Sequence, residues 1–319
     1  MSLPYDKSAA VVVFPASAVL QIADPGLRGW LARGTLSKSE TPAELLQCML
    51  RLLGRPYPEE GLAALRMWGQ TGDRPTVWIA AADPVYLEPR LDHLCLHALG
   101  GKLSDGELGG LFDYLQQRLA GSERYGFARI GSQGYIRADR PIQTARAPAY
   151  VVDQQLPNEF MSTGDQTGTY HALRGEVEMA LHDHDINLRR QSEGLPPVNS
   201  LWLWGGGYAP EKETVPHPPL FASDPLLKGY WLSKTGVVAD WPGTIADCLD
   251  ASVAGFVARP ILRDAEHLEQ CLQELREALN NNRLSGLTLI FGREYFLEIR
   301  KADQWKIWRR KSELFGDDS

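Results

Sequence analysis

Apolar positions along the chain alternate between short continuous runs and helical stripes. Ala9-Ala10-Val11-Val12-Val13-Phe14 is apolar without alternation and stops at Pro15, the pattern of a strand buried on both faces. Leu45, Leu46, Met49, Leu50, Leu52 and Leu53 follow at helical spacing. Thr41 and Glu44 have capping-box spacing, Pro42 takes the first helical position and Gly54 follows the last turn. Thr76–Ala81 and the shorter Leu94–His97 are further strand candidates. Ser104 and Glu107 offer a second capping box ahead of Leu108, Leu111, Phe112, Leu115 and Leu119, with Gly121 as the stop. From Tyr125 to Arg137, Gly126, Gly131 and Gly134 among β-branched and aromatic residues predict short strands or a hairpin.

Arg140 to Gly168 holds three prolines and little periodicity, and is expected to be a long surface connection. Tyr170, Leu173, Val177 and Leu181 make one helical face that runs into His182-Asp183-His184-Asp185. Ser200-Leu201-Trp202-Leu203-Trp204 predicts a strand ending at Gly205-Gly206-Gly207, and the proline-rich Pro210–Pro225 should be irregular. Leu268, Cys271, Leu272, Leu275 and Leu279 define a late helix. Leu287–Phe291, Tyr295–Ile299 and Gln304–Trp308 read as closing strands. These late strands are too close for crossover helices, so the expected architecture is α/β with a mixed central sheet and flanking helices.

Composition narrows the classes. The chain has 319 residues and a net charge of 33 − 40 = −7, which argues against a dedicated nucleic-acid binder. An apolar share of 44% is that of a globular protein. Cys48, Cys95, Cys248 and Cys271 form neither a disulfide framework nor a CxxC pair. No run reaches the roughly 18–20 apolar residues of a membrane span, and the start of the chain lacks a signal-peptide pattern. A cytoplasmic protein is expected, with neither nucleic acid nor membrane as partner.

Several residues invite a chemical reading beside a plain one. Gly205, Gly206 and Gly207 after a strand allow backbone N–H groups to approach an anion, or form a sharp turn; neither a P-loop nor GxGxxG is present. His182 and His184 are weak metal candidates, because residues two apart diverge on a helix, and histidines are also favoured at helix carboxyl ends. His93 and His97, with Cys95 between them, lack an evident third ligand. Arg189 and Arg190 beside Asn187 suit a phosphate or carboxylate, or an internal ion pair. Trp202 and Trp204 share a strand face, for packing or for stacking.

The run Asn187-Leu-Arg-Arg-Gln-Ser-Glu-Gly194-Leu-Pro-Pro-Val-Asn199-Ser-Leu-Trp202-Leu-Trp204-Gly-Gly-Gly207 resembles regulatory proteins of the RpfE type, a bacterial family related to phosphoglycerate mutase. Ala82-Asp83-Pro84-Val85-Tyr86-Leu87, Asp92-His93 and Trp308-Arg309-Arg310 agree with that resemblance. Asn199–Gly207 is also similar to the Asn-x-x-Trp-x-Trp-Gly-x-Gly stretch of archaeal-type cofactor-independent phosphoglycerate mutases, members of the alkaline phosphatase superfamily. The resemblance implies a core related to that superfamily, from residues 1–81 with 187–319, and a smaller inserted α+β portion over 82–186.

Those mutases carry an Asp-Gly after the first strand, a phosphate-accepting serine, and Asp/His ligands for two manganese ions. Here the first strand runs into Phe14-Pro15-Ala16-Ser17, and beyond residue 217 the one histidine is His267. The expected function is therefore a non-catalytic, mutase-like protein with a regulatory role or a role in binding a phosphorylated metabolite, without a cofactor. Its ligand-binding residues would be Asn187, Arg189, Arg190, Asn199, Trp204, Gly205, Gly206 and Gly207. Two alternatives stay open. One is a phosphoryl-transfer or hydrolytic enzyme with a rearranged manganese or zinc site at His182 and His184. The other is a protein–protein adaptor using Pro210–Pro225 or the basic tail.

Overall fold

The computed structural model describes residues 8–39, 43–120, 124–161, 167–252, 254–306 and 313–315. The strands are β1 (Ala9–Phe14), β2 (Thr35–Lys38), β3 (Ile79–Pro89), β4 (Leu94–Ala98), β5 (Tyr125–Ile130) and β6 (Gln133–Ala138). They continue with β7 (Ser200–Gly207), β8 (Leu220–Phe221), β9 (Val238–Ala239), β10 (Val257–Ala258), β11 (Gly286–Phe291) and β12 (Tyr295–Arg300). The chain forms two compact units, residues 1–57 with 212–319 and residues 58–211.

The first unit is built on a mixed sheet of order β2-β12-β11-β1-β10-β8-β9. β1 lies between β10 and β11 and is parallel to both, which is why Ala10 to Phe14 are all buried and the run does not alternate. β8 and β9 extend the parallel set. β11 turns at Gly292, with φ +70°, into the antiparallel β12. Helix Ala265–Asn280 is N-capped by Asp264, and its Leu268, Cys271, Leu272, Leu275 and Leu279 enter one core with Val12, Phe14 and Leu289. Each such leucine contributes roughly 1.5–3 kcal/mol by burial.

In the second unit β3 is the spine. Ile79–Ala81 pairs with β6 on one edge, Val85–Pro89 with β4, and β7 runs antiparallel along Ile79–Val85. Helix Asp105–Leu119 carries the predicted capping box, with Ser104 and Glu107 bonding reciprocally. Leu108, Leu111, Phe112 and Leu115 join Tyr170, Leu173, Val177 and Leu181 of helix Thr167–His182 in the core beside this sheet.

Several expectations change. Boundaries drawn at residues 81 and 187 move to 57 and 211, because β7 pairs with β3 and packs with helix Leu62–Thr71. Gly205–Gly207 continue β7 rather than ending it. Within the expected surface connection over 140–168, the described residues Ile142, Ala145, Ala149, Val151 and Val152 are buried; residues 162–166 lie outside the described residues. Within Pro210–Pro225, Leu220–Phe221 forms β8 and Pro225 opens a helix capped by Asp224. The early helix begins at Leu45 with Glu44 as its own cap, accepting the Gln47 N–H; Thr41 and Pro42 lie outside the described residues. Of the expected last strand, Gln304 and Trp305 lie in a 3-10 turn over Lys301–Trp305, while Ile307, Trp308, Arg309 and Arg310 fall outside the described residues.

Candidate functional site

The residues around β7 were expected to bind ligand, and most are occupied by the protein itself. Asn199 sits one residue before β7, beyond the last ladder pair, Val85 with Ser200. Its side chain supplies the missing rung, accepting the Leu87 N–H at 2.8 Å and donating to the Leu87 carbonyl at 2.9 Å. Asn187 is buried, and its amide nitrogen donates to the carbonyls of Leu181 and Val198, both at 2.7 Å. Arg190 is 2% exposed and donates to the Pro196 carbonyl and to Glu107 at 2.8 Å. Arg189, next to it, is exposed, so the two guanidiniums do not converge.

The glycines are required by packing. Gly205 has φ +61°, and a Cβ there would stand 2.9 Å from Leu62 Cβ. On Gly206 it would meet Trp78 at 2.6 Å, and on Gly207 the Gly61 nitrogen at 2.4 Å. These small residues let β7 approach helix Leu62–Thr71 and the loop before it. That close approach fills the space a phosphate would need.

Trp204 belongs to a buried network absent from the sequence reading. Its indole N–H donates to Asp83 Oδ2 at 2.6 Å, and Arg66 lies over its ring at 5.1 Å. Arg66 pairs with Asp83 at 3.3 Å and donates to the Tyr135 hydroxyl and the Gly134 carbonyl. The signal was an arginine on the apolar face of Leu62-Ala-Ala-Leu-Arg-Met-Trp and an acid inside an apolar strand. The network consumes its own donors and acceptors and offers no open position.

His182 and His184 are not brought to one centre. His182 is exposed beside Asp183. His184 caps the next helix, its Nδ1 accepting the Ile186 N–H at 3.2 Å, and burial holds its pKa below the ordinary value.

A two-metal centre of the mutase kind was tested at the carboxyl ends of the parallel strands in the first unit. Asp224 after β8 is paired with Arg259, and Asp240 after β9 with Lys228 at 3.1 Å. Both nitrogens of His267 are engaged, Nε2 donating to the Gly243 carbonyl at 2.9 Å and Nδ1 accepting the Arg263 N–H. Each of these side chains is spent on its own partner, and together they do not fit a dinuclear site.

Among the described residues of the second unit, two clefts bear on a ligand. One, of about 270 Å³, is lined by Glu178, His182 and Gln191 with Asn187 and Asn199. It has no Lys or Arg in its lining and so suits no phosphate. The other, of about 740 Å³, is lined by Arg124, Tyr125, Asp139, Arg140 and Thr169. Its two arginines share one lining because Tyr125 pairs with Ala138 at the open end of the β5–β6 hairpin, placing Arg124 just before one strand and Arg140 shortly after the other. Neither guanidinium has a carboxylate partner among the described residues, while Asp139 is paired with Arg137 at 3.6 Å.

Fold and site together define a mixed α/β protein of two units, one of which carries an arginine-lined cleft. The chain is distantly similar to cofactor-independent phosphoglycerate mutases. It is 28% identical over 168 residues to the 2,3-bisphosphoglycerate-independent phosphoglycerate mutase of Methanosarcina acetivorans, over 50% of this chain and 42% of that protein. With the Methanosarcina mazei protein of the same name it shares 27% identity over 113 residues, 35% of this chain and 28% of the other. The chain thus spans less than half the length of these relatives. Among solved structures it resembles the PH0037 protein from Pyrococcus horikoshii, with a TM-score of 0.51 and 13% identity over 92% of this chain and 87% of that one. No family model matches the sequence.

Proposed function

We propose that this chain is a non-catalytic, phosphoglycerate-mutase-like protein that binds a phosphorylated metabolite in a regulatory capacity, with Arg124 and Arg140 as the anion-holding residues. The reading is carried by those two arginines, which line one cleft and have no carboxylate partner among the described residues. A phosphate or carboxylate is the group that matches paired guanidiniums through charge-assisted hydrogen bonds. Thr169 and the Tyr125 ring add polar and apolar contact for the carbon skeleton. Two further observations support the reading: the relatives are named for a phosphoglycerate reaction, and the acids after β8 and β9 are neutralised by their own cations.

Calorimetric titration with 3-phosphoglycerate and inorganic phosphate tests it, beside a mutase assay with added Mn²⁺. Saturable phosphoglycerate binding is expected, weakened at least tenfold by Arg124→Ala or Arg140→Ala, since a hydrogen bond to a charged group is worth about 1.5–3 kcal/mol. No turnover is expected. Turnover in the parent protein would overturn the reading, as would binding indifferent to both substitutions.

A further inference from the structure

The second unit also holds a convergent set of metal-ligating side chains that belongs to neither the cleft nor the Asn187–Gly207 segment. Cys95 and His97 are two apart on β4, so they project from the same face of the sheet. Glu88 lies directly opposite Cys95 in the β3–β4 ladder. The three ligand atoms lie within 4.8 Å of one another, and all three residues are partly exposed, open to an ion from solvent. The Glu88 Oε2 and His97 Nε2 are 2.7 Å apart. Tyr86, two residues before Glu88 and on its face, stacks on the His97 ring with centroids 5.9 Å apart and fixes its plane. Arg90 donates to the same Glu88 oxygen, Oε2, at 2.7 Å. The register does what sequence spacing does not: it brings a carboxylate from the preceding strand to a Cys-x-His pair.

We propose that Glu88, Cys95 and His97 bind a transition-metal dication, with zinc the best match. One thiolate, one imidazole and one carboxylate are zinc's own ligand types, and tetrahedral bonds of 2.0–2.3 Å place such atoms roughly 3.3–3.7 Å from each other. The three atoms reach that spacing by small side-chain rotations on a rigid two-stranded frame. The thiolate donor disfavours Mg²⁺ and Mn²⁺, which prefer oxygen-rich sets. Three protein ligands leave a fourth position for water. On binding, the Cys95 thiol releases its proton to solvent and the Glu88–His97 hydrogen bond gives way to two metal bonds. Arg90 then stays as an outer partner of the carboxylate.

The other cysteines offer no competing site. Cys48, Cys248 and Cys271 are buried and their thiols are pushed up by that burial, Cys271 to about 12. The experiment uses the whole chain, with Zn²⁺ titrated against a chromophoric chelator and Co²⁺ followed by its thiolate charge-transfer absorption. One ion per chain is expected, with a Co²⁺ thiolate band. Cys95→Ser removes that band, and Cys95→Ser or His97→Gln weakens Zn²⁺ at least tenfold while the circular dichroism spectrum stays unchanged. Mn²⁺ in large excess leaves Zn²⁺ in place. Absence of stoichiometric zinc, or a thiolate band that survives Cys95→Ser, overturns the site. Phosphoglycerate binding is read separately, so each proposal stands or falls on its own.

Discussion

The side-chain amide of Asn187 pairs with both main-chain groups of Val198, donating to its carbonyl at 2.7 Å and accepting its N–H at 2.8 Å. A third bond, from the same nitrogen to the Leu181 carbonyl, ties the end of one helix to the approach to β7. Asn187→Ala should leave these buried backbone groups without partners and cost about 2–4 kcal/mol. The shift of the urea midpoint at constant slope measures it. A shift below about 0.5 kcal/mol would return Asn187 to the surface-like positions where such small effects are usual.

Gly206 separates a packing role from a binding one. Gly206→Val should destabilise the protein by about 1–3 kcal/mol or more, through overlap with Trp78 and Thr144. Phosphoglycerate affinity of the folded fraction should stay within twofold of the parent. Thermal denaturation and calorimetry on the same sample distinguish the two effects.

Arg66 and Asp83 form an ion pair whose side chains are 7% and 16% exposed. Replacing Arg66 by Met leaves the Asp83 carboxylate with the Trp204 indole and the Ala149 N–H alone, at an expected cost of about 3–5 kcal/mol. Adding Asp83→Asn should recover much of that loss, because the uncompensated charge is removed. A double-mutant cycle by chemical denaturation checks the coupling.

Acid should weaken the protein partly through Glu107. Burial pushes its carboxyl up, but the Ser104 N–H and hydroxyl and the Arg190 guanidinium outweigh it and hold the pKa below the ordinary value. The unfolded chain therefore takes up the proton first. The stabilisation is complete above the unfolded value, about 4.3, and is lost as pH falls through the lower folded value. Glu107→Gln should be less stable at neutral pH and show a flatter decline below about pH 4.3. Unfolding curves across that window decide it, and parallel declines would contradict the assignment.

Much of the local structure was legible in the sequence because its causes are local. The β1 run, the Ser104–Glu107 capping box, the Tyr170–Leu181 stripe and the Leu268–Leu279 helix follow from spacing along the chain. A mixed sheet also followed, since β11 and β12 are separated by three residues and cannot be parallel.

What the sequence by itself determined, then, was the strands and helices with strong local periodicity and the faces they bury. What only the tertiary structure decided was whom each polar side chain meets. Asn187, Arg190 and Asn199 read as candidate ligand donors, with an internal ion pair the alternative for Arg190, and each is spent on backbone or on Glu107 once the chain closes. Arg124 and Arg140 come to line one cleft through a hairpin, and Glu88 reaches Cys95 and His97 through strand register. Hydrophobic burial is set by periodicity within one element. A hydrogen bond or a metal ligand set depends on distances of a few ångströms between elements, and those arise when strands pair.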